Sequence, residues 1–162
     1  MLPPSPVTVR RFSHLGLCVR DLARACEFYV AGLGFRELSR FVTRGAETSR
    51  LLGLARVELE AVYLERDSFR LELLHYRSPG AVSGDAPRAM NQAGLTHLSL
   101  RVDDLESTLA ALQALGARPL PESRIDSLRF GARVMFVLDP DGTRVELVEG
   151  EFDPANLSGG AP

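Results

Sequence analysis

The sequence predicts an α+β protein made of two paired βαβββ modules, with sheets curving around a shared cavity. Three observations lead there. The run His14-Leu-Gly-Leu-Cys-Val-Arg-Asp-Leu22 reappears 83 residues later as His97-Leu-Ser-Leu-Arg-Val-Asp-Asp-Leu105. The histidine, three apolar positions, Asp21/Asp104 and Leu22/Leu105 are all kept. The run Phe69-Arg-Leu-Glu-Leu-Leu74 is echoed 74 residues on by Thr143-Arg-Val-Glu-Leu-Val148, so that Glu72 is answered by Glu146. Between these landmarks each half reads as strand, helix and three strands.

Residues 1–9 are Pro-rich and read as a loose leader. From His14 to Arg20 apolar and other residues alternate, with Leu15, Leu17 and Val19 on one side, the period of a half-buried strand. Asp21 is a candidate N-cap for a helix over 22–31, with Leu22, Cys26 and Tyr29/Val30 on one face, ended by Gly32 and Gly34. Phe35–Thr43 and Val57–Glu65 read as strands, joined by a helical piece over 47–52. Arg66-Asp67 is a turn, and Phe69–Tyr76 is the next strand. Residues 78–94 carry Gly, Pro and Ser with little periodicity and form the linker.

The second half repeats the order. A strand over Thr96–Val102 leads to Asp103/Asp104 as cap and a helix over 105–115, with Leu105, Leu109 and Leu112 on one stripe. Gly116 ends that helix, and strands follow near 117–124, 132–138 and 143–149. Asp139-Pro-Asp-Gly142 is a tight turn, because Pro presets φ and Gly accepts φ > 0. The expected divisions are module 1 over 10–77, linker 78–94, module 2 over 95–150 and a frayed tail over 151–162. A module this small has a marginal core by itself, so the two are expected to pair.

Composition narrows the function. The chain has 162 residues and a net charge of −2, which argues against a nucleic-acid or anionic-membrane partner. All 19 of its Lys or Arg residues are Arg, so a lysine Schiff base is excluded. Cys18 and Cys26 form neither a CxxC nor a disulfide framework and read as reduced thiols. With no signal peptide or membrane-length apolar run in the sequence, a cytoplasmic location is expected.

Strand parity singles out four residues. Leu71 and Leu73, like Val145 and Leu147, are placed to pack inward, which turns Glu72 and Glu146 to the other face with Arg70, Leu74, Tyr76, Arg144 and Val148. His14 and His97 likewise oppose a Leu/Leu/Val row. A carboxylate on such a face is costly unless it is solvated, paired or bound to metal. Two imidazoles and two carboxylates neutralise one divalent ion, and Zn, Ni, Co, Mn and Fe all suit that donor set. His14, Glu72, His97 and Glu146 are therefore the candidate metal ligands. Asp139 and Asp141 are assigned to shaping their turn, Cys18 to inert filling, and His75, of the wrong parity, to an edge.

The patterns HLGLCVRDL…FYVAGLGF, RLELL, THLSLRVDDL and VLDPDGTRVELVE resemble the vicinal oxygen chelate superfamily over about residues 12–150. That superfamily includes glyoxalase I, methylmalonyl-CoA epimerase, extradiol dioxygenases, and fosfomycin- and bleomycin-resistance proteins. The resemblance implies a glyoxalase-like mixed sheet, a divalent metal ion between the modules, a small-molecule substrate and a homodimer. It places His14 and Glu72 as the ligands of the first module, and His97 and Glu146 as those of the second. Ring-cleaving and fosfomycin-type members resemble a two-His, one-Glu arrangement without the Glu72 equivalent, so Glu72 tilts this chain toward the isomerase/lyase side. The implied activity is glyoxalase I-like or epimerase-like abstraction of a proton α to a metal-chelated carbonyl. Glu146, joined by Glu72, would be the catalytic base. The alternatives are an Fe(II) extradiol-type dioxygenase using His14, His97 and Glu146, and a metal-free antibiotic-binding protein. Arg36, Arg40, Arg44 and Arg50 are candidates for contacting anionic substrate groups.

Overall fold

The computed structural model of the chain describes residues 8–82, 88–129 and 131–151. The expected leader and tail lie largely outside them, as do residues 83–87 of the expected linker. Eight strands and three α-helices follow in the expected order: β1 Leu15–Cys18, α1 Leu22–Cys26, β2 Arg36–Arg44, α2 Ala46–Leu52, β3 Glu58–Arg66, β4 Phe69–Ser78, β5 Leu98–Val102, α3 Leu105–Ala114, β6 Arg118–Ser127, β7 Ala132–Leu138 and β8 Arg144–Glu149. A π-helical segment, Glu27–Gly32, continues α1. None of the described helices is long and apolar enough to cross a membrane.

The strands make two four-stranded mixed sheets of identical topology, β1-β4-β3-β2 and β5-β8-β7-β6. In each, the first strand runs parallel to the last and the other pairings are antiparallel. This is the α+β arrangement of two repeated modules expected from the repeat. By contacts the chain divides into two units. The first holds β1 to β4 and α2; the second holds Arg20–Gly34 together with β5 to β8 and α3.

In the first unit Leu71, Leu73, Val62 and Leu64 are fully buried. These residues alternate along β3 and β4, as a strand with one apolar face requires. In the second unit α3 packs against β6, β7, β8 and the π-helical segment. There Leu105 and Leu112 of α3, Val145 and Leu147 of β8, and Phe28 and Tyr29 are all fully buried. Each such side chain contributes about 1.5–3 kcal/mol of transfer free energy. The repeated aspartates cap the two α-helices in the same way: Asp21 accepts from the Arg24 N–H and Asp104 from the Ser107 N–H.

The first helix departs from expectation in its second half. Leu33 N–H donates to the Phe28 carbonyl five residues back, the bond of a π turn. The buried stripe is accordingly Leu22, Ala25, Phe28 and Tyr29, whereas Cys26 is half-buried and Val30 exposed. Gly32 is required by a close approach: a Cβ there would lie 2.8 Å from Leu112 Cδ2 and 2.9 Å from Leu115 Cδ1.

The Asp139-Pro-Asp-Gly142 turn forms as expected, with Gly142 N–H donating to the Asp139 carbonyl at 3.1 Å. Asp139 is 1% exposed. Its Oδ1 accepts from the Asp141 and Thr143 N–H groups, and its Oδ2 accepts from the Tyr29 hydroxyl at 2.9 Å. Asp139→Ala would remove the acceptor of the buried Tyr29 hydroxyl and of two turn N–H groups, and thermal or urea unfolding is expected to show a loss of about 1–3 kcal/mol. Asp139→Asn keeps the turn acceptors and should recover most of it. Burial pushes the Asp139 carboxyl above its ordinary value. A native pKa above the unfolded one means that the native state binds the proton more tightly. This group's contribution to stability therefore falls as pH rises from the ordinary carboxylate range upward, and Asp139→Asn should remove that slope.

Candidate metal centre

In the first unit the site is built at the mouth of the parallel pair β1/β4. The pairing begins at Leu15↔Leu71 and sets Gly16 opposite Glu72, so His14 stands one residue ahead of the strand. Leu71 and Leu73 are wholly buried, and alternation turns Glu72 to the opposite face. His14 Nε2 lies 3.1 Å from Glu72 Oε2, with the side chains 32% and 14% exposed. The other ring nitrogen, Nδ1, is 3.0 Å from the Ser13 hydroxyl. Tyr63, paired with Glu72 across β3/β4, presents its ring to the imidazole edge-on at 5.2 Å.

The second unit repeats this arrangement part by part. Ser99 stands opposite Glu146 in the β5/β8 register, and Val145 and Leu147 are fully buried. His97 Nε2 lies 3.7 Å from Glu146 Oε2, with the side chains 29% and 24% exposed. His97 Nδ1 is 2.9 Å from the Thr96 hydroxyl. Phe136, paired with Glu146 across β7/β8, meets the imidazole edge-on at 5.3 Å.

The structure thus brings the four residues singled out by the sequence together as two His–Glu pairs, one in each unit. Among the described residues it forms no group of three or more His, Cys, Asp or Glu side chains that could hold a metal ion. Each pair offers one imidazole nitrogen and one carboxylate oxygen, half of a four-ligand set that suits Zn, Ni, Co, Mn or Fe. The hydroxyls on Nδ1 favour this use. A hydroxyl both donates and accepts, so it satisfies Nδ1 whether Nε2 carries a proton or offers its lone pair to a metal. Ser13 and Thr96 were legible in principle, because the 83-residue repeat extends one position upstream in hydroxyl character.

One further hydroxyl reaches a carboxylate: Ser99 donates to Glu146 Oε2 at 2.6 Å. Beside Glu72, burial first and then the neighbouring carboxylate push the Tyr63 phenol above its ordinary value. Tyr76 shares this face of β4, and burial followed by the charges of Cys18 and Glu72 raises it too. His75, as its parity required, points elsewhere, with Nδ1 3.4 Å from the Val19 carbonyl. Arg36 and Arg40 are engaged in ion pairs with Glu65, Glu37 and Glu60. Asp141 pairs with Arg20 at 2.8 Å. Neither Cys18 nor Cys26 is in a disulfide.

Comparison with known proteins bears on the whole of this architecture. A family model described as the Glyoxalase/Bleomycin resistance protein/Dioxygenase superfamily matches residues 11–147. No curated protein sequence matches the chain. Among solved structures, a glyoxalase family protein from Bacillus cereus is similar at a TM-score of 0.75 and 19% identity, over 88% of this chain and 95% of that one. The trypanothione-dependent glyoxalase I of Leishmania major is similar at a TM-score of 0.58 and 22% identity, over 87% of each chain. The fosfomycin resistance protein FosX of Listeria monocytogenes, complexed with Mn(II) and sulfate, is similar at 0.54 and 16% identity, over 90% of this chain and 96% of that one.

Proposed function

The chain belongs to the Glyoxalase/Bleomycin resistance protein/Dioxygenase superfamily, and from that premise we propose that it is a metal-dependent lyase or isomerase. In this reading it removes a proton α to a carbonyl of a small molecule, as a glyoxalase I-like or epimerase-like enzyme does. His14, Glu72, His97 and Glu146 hold the ion. When bound, a divalent metal supplies Lewis acidity toward the substrate carbonyl, which makes the neighbouring C–H more acidic.

The observation that carries this reading is the 3.1 Å contact between His14 Nε2 and Glu72 Oε2. It repeats the His97–Glu146 pair and supplies the fourth donor, which a two-His, one-Glu site lacks. Glu146 is the assigned general base. It lies further from its histidine than Glu72 does from His14, 3.7 against 3.1 Å, and its side chain is more exposed, 24% against 14%. The more exposed carboxylate is the one more accessible to a substrate proton.

The test is solvent exchange at carbon. The metal-loaded protein is incubated in deuterated buffer with acyl thioesters and with glutathione hemithioacetals, and the α-proton is followed by NMR. Metal-dependent loss of the α-proton signal in one of these classes is the expected result. A metal-loaded protein that exchanges no α-proton in either class would exclude the reading.

A further inference from the structure

A row of three residues crosses each sheet at the same level. In the first unit Arg36 of β2, Glu65 of β3 and Arg70 of β4 stand side by side in register. In the second unit the row is Arg118 of β6, Leu138 of β7 and Arg144 of β8. Each row shares a face with its glutamate, because the one residue between them on the last strand, Leu71 or Val145, is fully buried on the other face. Both rows keep their two arginines, but only the first keeps an acid between them. Glu65 bridges its neighbours, with Oε2 2.8 Å from Arg36 Nη2 and Oε1 3.2 Å from Arg70 Nε. Leu138, 4% exposed, supplies no charge.

The acids around the second row are engaged elsewhere. Asp139 accepts from the Tyr29 hydroxyl and from its own turn, Asp141 pairs with Arg20, and Glu149 pairs with Arg133. Among the described residues no carboxylate forms an ion pair with Arg118 or Arg144. Arg144 Nη1 donates instead to the neutral carbonyl of Arg88. A Cβ at Gly142 would lie 3.6 Å from Arg118 Nη2, so that guanidinium sits beside the turn leading into Arg144. Two guanidiniums on one face of a sheet, next to a proposed metal site, repel each other and the ion. A carboxylate that accepts from both offsets this, and the planar donor fork of arginine matches its two oxygens.

We propose that Arg118 and Arg144 form a binding site for a carboxylate of the substrate, which takes in the second unit the place that Glu65 holds in the first. The assignment of that carboxylate to the substrate rests on the reading of His97 and Glu146 as metal ligands. The pairing Leu98↔Val145 sets His97 beside Arg144, and Glu146 follows two residues on, about 7 Å along the strand. A carboxylate held by the arginines therefore lies several bonds from a carbonyl on the ion. The substrate class is a carbonyl compound that bears a carboxylate at that separation.

Succinate binding to the metal-free protein tests the site. It is measured by titration calorimetry at constant ionic strength, with circular dichroism as the check that each variant is folded. The wild-type protein is expected to bind succinate saturably. Arg118→Gln and Arg144→Gln each remove a charged donor and should weaken binding about 10-fold or more. Leu138→Glu gives the second row the acid of the first and should abolish binding. Glu65→Leu does the reverse and should add a second succinate site. Since Leu138 is buried, the Glu65 and arginine variants carry the test if Leu138→Glu does not fold.

A wild-type protein without saturable succinate binding would overturn the proposal, and so would binding that both arginine variants leave unchanged. Neither result touches the proposed function, which metal-dependent α-proton exchange tests separately. Succinate binding by a protein that takes up no metal would overturn the assignment of the carboxylate to a metal-bound substrate.

Discussion

His97→Ala is expected to cost the protein most of its metal. The imidazole is one of four donors, and its loss should weaken binding by more than the roughly 10–100-fold that removal of an outer-shell partner costs. The fold should be nearly untouched. His97 is exposed and precedes β5, so its truncation opens no core cavity, and surface changes of this kind usually stay within about 0.5 kcal/mol. Thr96→Val is the graded companion, keeping the imidazole but removing the hydroxyl 2.9 Å from its Nδ1. It is expected to weaken binding by less than His97→Ala does. Chelator competition and thermal melting of the two variants check both halves of the expectation. A His97→Ala protein with wild-type affinity would mean that the second unit contributes no imidazole ligand.

Glu146→Gln should separate binding from chemistry. Glutamine keeps the shape and one carbonyl oxygen, which can still accept from the Ser99 hydroxyl and still face a metal. It cannot take up a proton. A positioned general base contributes about 10²–10⁴-fold to a rate, so α-proton exchange should fall by that order while metal is largely retained. Glu72→Gln is expected to do the opposite. It removes a charge from the more enclosed pair, whose carboxylate is 14% exposed, and should lower metal affinity more than it lowers exchange per bound metal. Exchange rates and bound metal measured on the same preparations distinguish the two. Full exchange by Glu146→Gln would end the assignment of this residue as base.

Much of this fold was legible because the chain carries two copies of one text. Alternation in Leu71-Glu72-Leu73 and Val145-Glu146-Leu147 sorted inward from outward residues, and all four aliphatic side chains are fully buried. Asp21 and Asp104 each act as the N-cap that their place before a helical pattern suggested. The π winding over Glu27–Gly32 was not legible. Its apolar residues fit an α period nearly as well, and the close approach of Leu112 and Leu115 to Gly32 is a tertiary contact that sequence periodicity does not carry. Each His–Glu contact could be anticipated from parity, but the Ser99 hydroxyl on Glu146 could not. Ser99 stands where the first half has Gly16, and only strand register sets it opposite Glu146.

The proposed metal site draws one His–Glu pair from each unit, and the metal content of the protein reports on it. Untagged wild-type protein is analysed by elemental mass spectrometry beside His14→Ala and His97→Ala. The expected result is about one Ni, Co, Zn or Mn ion per wild-type chain, as four protein ligands imply, with strong depletion in both variants. A wild-type chain that holds no metal after incubation with each ion would contradict the claim, and so would occupancy that both histidine variants leave unchanged.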